Sequence, residues 1–98
     1  MNRLENEFLI IETSNSGAEL TRIFSKKENK ENLWNGDAKY WGRHSPILFP
    51  IVGRLKDNET VIDDKVYTMT QHGFARDMNF DLVDISDNLI SYKITIFT

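Results

Sequence analysis

The sequence predicts an all-β chain, a sandwich or a barrel, on three observations. Apolar residues recur with a period of two, as in Ile90, Tyr92, Ile94 and Ile96 against Ser91, Lys93 and Thr95. Turn-forming clusters such as Ser14-Asn15-Ser16-Gly17 and Ser86-Asp87-Asn88 interrupt the apolar runs at close intervals. No stretch carries the 3.6-residue period of a long amphipathic helix. Six or seven short strands with tight connections follow, and no internal repeat or linker divides residues 1–98.

The strands can be justified in chain order. Glu7–Glu12 and Ala18–Phe24 flank the Ser14–Gly17 turn and form a first pair. Thr21, Ile23 and Phe24 favour strand over a short helix in the second member. Lys26–Asn32 is a mixed-charge run and reads as a solvated loop. Pro46 and Pro50 lack amide donors, so Ile47–Val52 cannot be an uninterrupted central strand and is either irregular or a bent edge. Thr60–Ile62 and Lys65–Met69 surround Asp63-Asp64 as a tight hairpin. Phe80–Ile85 and Leu89–Phe97 form the last hairpin, its second strand half-buried. That strand alternates up to the final residues with no closing turn, leaving backbone groups that call for more chain or another copy.

Composition narrows the function classes. A net charge of -3 gives no pull towards nucleic-acid phosphates or anionic membranes, so neither is expected as a partner. The chain has no cysteine, hence no disulfide framework and no thiolate metal site. His44 and His72 alone do not make a metal ligand set. The N-terminal residues are acidic and lack the apolar run of a signal peptide, and no apolar segment is long enough to span a bilayer. A cytoplasmic protein without metal or cofactor is expected.

Two segments carry more information than core packing requires. The first is Trp41-Gly42-Arg43-His44-Ser45-Pro46-Ile47-Leu48-Phe49-Pro50-Ile51-Val52-Gly53-Arg54. The second, after residues 55–70, is Gln71-His72-Gly73-Phe74-Ala75-Arg76-Asp77. In order and spacing the pair resembles the aldose 1-epimerase (galactose mutarotase) superfamily, in its LacX-like branch. That resemblance covers nearly all of the chain but only the N-terminal part of the family's fold. It implies that residues 1–98 are part of one antiparallel β-sandwich domain of the galactose mutarotase-like supersandwich type.

The resemblance also implies a chemistry. Such enzymes interconvert the α and β anomers of a free hexose, one group taking the anomeric proton while another protonates the ring oxygen. The family's base, a glutamate, and its acid, a histidine, lie beyond the matched region, so no catalytic residue is assigned here. Substrate holding does carry over. Arg54 matches the arginine that bonds sugar hydroxyls, for which a planar guanidinium is well suited. His72 matches the first active-site histidine, which sits near the ring oxygen and offers one donor and one acceptor when neutral. Phe74 would support the pocket floor, and Gly73 would let the backbone pass close by. Trp41 either stacks on a sugar face or packs at a sheet edge, while Trp34 is expected to pack. Without the motifs, an arginine after glycine is ordinarily a surface residue and a histidine before glycine a turn residue.

His44 is read as structural, and Arg76 and Asp77 as adjacent opposite charges that either support the site residues from behind or fix a turn. The leading expectation is therefore the sugar-holding part of an epimerase, nearly inactive alone. The alternatives are a non-catalytic carbohydrate-binding module and a structural half-sandwich that oligomerises through open strand edges.

Overall fold

Eight short strands and two single 3-10 turns make up the computed structural model, which describes residues 1–96. A four-stranded antiparallel sheet has the order β1 (Asn2–Glu5), β2 (Leu9–Thr13), β3 (Leu20–Ser25), β4 (Lys30–Glu31). Two further antiparallel hairpins follow: β5 (Glu59–Ile62) with β6 (Lys65–Thr68), and β7 (Asp81–Ile85) with β8 (Ile90–Lys93). The all-β, antiparallel class is as the sequence predicts.

Local chemistry explains the strand boundaries. The β1–β2 turn is built on Asn6, whose Oδ1 accepts the amides of Phe8 and Leu9, both at 2.8 Å. Register then pairs Asn2 with Thr13 and Glu5 with Ile10. Strand β1 was not anticipated, although its exposure alternates with period two. The β5–β6 turn places Asp63 and Asp64 at φ 50° and 63°, the left-handed pair that matches hairpin twist. Ile47–Val52 takes the irregular alternative, with a cis bond at Phe49-Pro50.

Two expectations change. Within the supposed loop Lys26–Asn32, Lys30 and Glu31 pair with Ser25 and Phe24 as β4. Glu31 makes this possible, because its Oε1 accepts the amides of Ile23 at 2.8 Å and Leu33 at 3.2 Å. The last strand also stops earlier than predicted, since β8 ends at Lys93. Lys93 pairs with Asp81, but the preceding Phe80 donates its amide to Asn15 O at 2.7 Å, so residues 94–96 find no strand to join among the described residues. The predicted end of that strand, at residues 97–98, lies outside the described residues.

Tyr92 ties the last hairpin to the first sheet. Its hydroxyl lies 2.7 Å from both Asn2 Nδ2 and Thr13 Oγ1. The Ser14–Gly17 turn docks alongside, with Ser16 bridging Asn79 and Gly17 N donating to Met78 O at 2.7 Å.

The result is an open slab. Among the described residues the buried apolar side chains are Ile10, Met69 and Ala75, and no large side chain is fully enclosed. Val61, Ile62, Val66 and Phe49 all stand exposed. The accessible surface is 7210 Å², against about 5,800 Å² for a closed monomer of this length. The radius of gyration, 16.3 Å, likewise exceeds the roughly 13 Å of a compact domain. The extents, 53 × 33 × 15 Å, are those of a flattened body. No helix among the described residues is long and apolar enough to cross a membrane.

Glu31 also gives the sheet an acid-sensitive edge. Burial works to raise its pKa, but the Ile23 and Leu33 amides and the Arg22 guanidinium hold it below the usual glutamate value. A carboxyl with a lowered folded pKa stabilises the fold above its unfolded pKa, and that contribution disappears as pH falls through the folded one. Amide exchange at Ile23 and Leu33 is therefore expected to accelerate below the ordinary glutamate range, once changes in intrinsic exchange rate are divided out. Equal acceleration in Glu31→Gln, which cannot titrate there, would contradict this origin.

Candidate functional site

The two sequence segments meet in space through three clasps. At the first, Arg43 Nη2 pairs with Asp77 Oδ1 at 2.6 Å and Nη1 donates to Arg76 O at 3.3 Å. Asp77 thus bonds across the fold, to a residue of the first segment. At the second, Ala75 N donates to Phe49 O at 3.1 Å, and the Phe49 and Phe74 rings meet edge to face at 6.5 Å. Gly73 is indispensable to this approach. Its φ is +78°, and a Cβ there would overlap the Phe49 carbonyl and stand 2.8 Å from Pro50 Cδ.

The third clasp involves His72 twice. Its amide donates to Gly53 O at 2.8 Å, and its Nδ1 accepts from Gly53 N at 2.9 Å. His72 itself has φ +66°, a conformation uncommon in non-glycine residues, though histidine is enriched there. Backbone angles of this kind persist only where surrounding contacts over-determine them, as the paired bonds to Gly53 do here.

Trp41 reaches the site through a chain of local bonds. Asn35 Oδ1 accepts Asp37 N, Asp37 Oδ1 accepts Lys39 N, both at 2.9 Å, and Asp37 O accepts Tyr40 and Trp41. Trp34 donates its indole N–H to Trp41 O at 2.8 Å and meets the Tyr40 ring edge to face at 6.2 Å. The next residues are fastened to β3. Glu19 Oε1 accepts His44 N at 2.8 Å and Ser45 N at 3.1 Å, while Ser45 Oγ donates to Leu20 O at 2.6 Å. The His44 imidazole lies over Gly36, where a Cβ would come within 2.6 Å of the ring, a packing role.

These connections create a cleft of about 350 Å³ lined by Trp41, Pro46, Leu48, Gln71, His72 and Arg76. Of the residues singled out in the sequence, His72 and Trp41 share it. Phe74 faces a separate, largely apolar hollow of about 840 Å³ with Phe49, Tyr67 and Met69. Arg54 is exposed, does not line the cleft, and has no ion pair or hydrogen bond among the described residues. Arg76 is the residue that sequence reasoning missed. It is half-buried on the cleft wall, and its buried Nε has no hydrogen-bond partner among the described residues. Its place in the second segment was visible, but beside Asp77 it was read only as a supporting or turn-fixing residue.

Among the described residues no carboxylate lines the cleft. Among the described residues no group of three or more His, Cys, Asp or Glu could hold a metal ion. The wall offers donors from His72, Arg76 and the Gln71 amide beside a half-exposed indole. Such a surface can hold a polar ligand by hydrogen bonds and stacking.

Comparison with known proteins places this geometry. The family described as Aldose 1-epimerase matches residues 1–97. The chromosomal and plasmid forms of Protein LacX from Lactococcus lactis subsp. lactis are 34% and 33% identical over 96 residues. Each match covers 93% of this chain and 32% of the relative, so the chain spans about a third of the length of those curated relatives. A galactose mutarotase-like protein from Lactobacillus casei ATCC 334 superposes with a TM-score of 0.88 at 40% identity, covering 94% of this chain and 31% of the other. A galactose mutarotase related enzyme from Lactobacillus acidophilus gives the same TM-score at 37% identity, covering 93% and 30%.

Proposed function

The chain belongs to the aldose 1-epimerase family, and from that premise we propose that residues 1–98 form the N-terminal, sugar-holding part of one mutarotase-like β-sandwich domain. The observation that carries this reading is the pair of hydrogen bonds between His72 and Gly53, which joins the two segments and sets the imidazole beside Trp41 in one cleft. A hexose there would stack a ring face on Trp41 and take hydrogen bonds from His72. Arg54 follows Gly53 directly, and its exposed guanidinium is available to reach the sugar hydroxyls. Phe74 acts from the other side, supporting the Gly73 turn through its contact with Phe49.

The complete domain would interconvert the anomers of a free hexose in the cytoplasm by acid–base ring opening. The present chain lacks the glutamate base and the histidine acid that the family resemblance places beyond the matched region. The absence of any carboxylate from the cleft agrees with a holding role. The open apolar face around Phe49, Tyr67 and Met69 agrees with a partial domain, being the place for a further β layer.

Titration of the ¹⁵N-labelled chain with D-galactose and with D-glucose tests the proposal. Shifts are expected at Gly53, Gln71, His72 and the Trp41 indole. His72→Ala should weaken the response roughly fivefold, the loss of about 1 kcal/mol for one neutral hydrogen bond. Polarimetry of fresh α-galactose should show almost no acceleration by the chain alone. Absence of any sugar-dependent shift would remove the holding role, and strong acceleration abolished by His72→Ala would remove the assignment of the acid and base elsewhere.

A further inference from the structure

We propose that the Gly53 backbone amide is a positioning group that fixes His72 as a hydrogen-bond donor towards the cleft, neither base nor acceptor. This deepens the sugar-holding reading and rests on it.

The inference comes from how the ring is held. Nδ1 of His72 accepts the Gly53 N–H at 2.9 Å. A nitrogen that accepts must carry a lone pair, so the proton of the neutral ring sits on Nε2. Turning the ring over would present a C–H to the Gly53 amide and strand that donor. The His72 amide is bonded to the same residue, through Gly53 O at 2.8 Å, so main chain and side chain are anchored together.

Gly53 serves this arrangement through its backbone angle. Its φ is +87°, yet an added Cβ would meet nothing within 4 Å. Glycine is therefore required for the left-handed conformation that aims the amide, and not for room. Nε2–H is left as the polar group of His72 without a partner among the described residues, on a wall that also carries the Arg76 guanidinium and no carboxylate. The ligand oxygen met by His72 must supply a lone pair, as a ring ether oxygen or a hydroxyl acting as acceptor does.

The test is a trans-hydrogen-bond ¹⁵N–¹⁵N coupling in the labelled wild-type chain, followed by D-galactose titration of wild type and Gly53→Ala. The expected result is a coupling between the Gly53 amide nitrogen and His72 Nδ1, with the neutral ring protonated at Nε2. Gly53→Ala should lose the coupling and bind galactose roughly five- to tenfold more weakly, the range for one lost hydrogen bond. A missing coupling, a proton on Nδ1 or an undispersed spectrum would each overturn the lock, whatever Gly53→Ala does. Loss of the coupling with unchanged galactose affinity would overturn its positioning role. An intact coupling without any galactose response supports the lock and defeats the sugar-holding reading, so the two failures are distinguishable.

Discussion

Gly73→Ala is expected to destabilise the fold by about 2–5 kcal/mol and to abolish the galactose response. Two effects add. An L-residue in the left-handed region costs about 1–2 kcal/mol, and forcing extra volume into a filled contact costs about 1–3 kcal/mol. Here the added Cβ meets backbone, the Phe49 carbonyl, which cannot rotate away as a side-chain tip could. Relief would require parting the Phe49 and Ala75 segments, which share the bond from Ala75 N to Phe49 O. Gly73→Asn separates the two causes. Asparagine tolerates positive φ but keeps the Cβ, so it should be little better than alanine. Urea unfolding of the three proteins measures the difference. An alanine variant within about 0.5 kcal/mol of wild type, the range of neutral surface changes, would show that the close approach is not maintained in solution.

Glu19→Ala is expected to cost about 2–3 kcal/mol and to release the cleft wall from β3. One carboxylate oxygen accepts two consecutive amides, His44 N and Ser45 N. Bonds to charged groups are worth about 1.5–3 kcal/mol each, and the sum is reduced here because the site is only half-buried. Glu19→Gln retains an acceptor oxygen and should recover more than half of the loss. Amide exchange at His44 and Ser45 reads the effect locally, and the Trp41 resonances should broaden as their anchor loosens. Unchanged protection at both amides in the alanine variant would mean that the segment is held by Ser45 Oγ and Arg43 instead.

What was legible in the sequence divides along physical lines. The hairpins at Asp63-Asp64 and Ser86–Asn88 were readable because turn chemistry is local, set by residues adjacent in sequence. The family resemblance was readable because the two segments are long and ordered. Strand β4 was not, since a two-residue strand has no pattern of its own and is held by contacts such as the Glu31 carboxylate accepting Ile23 N and Leu33 N. The early end of β8 depended on Phe80 being claimed by Asn15, a contact between residues far apart in the chain. The site shows the same division. His72 and Trp41 come together as their segments do, but the Arg43–Asp77 pairing is long-range, and it left Arg76 free to line the cleft.

The two tryptophans give the molecule a built-in optical gauge. Trp34 has its indole N–H committed to Trp41 O, whereas Trp41 is 49% exposed at the cleft, its own indole nitrogen without a hydrogen bond among the described residues. Their emission therefore divides into a steady component and an environment-dependent one. A sugar stacking on Trp41 would shift only the second, and because Trp34 grips the backbone of the reporter, intensity changes would register occupancy of the cleft without a label.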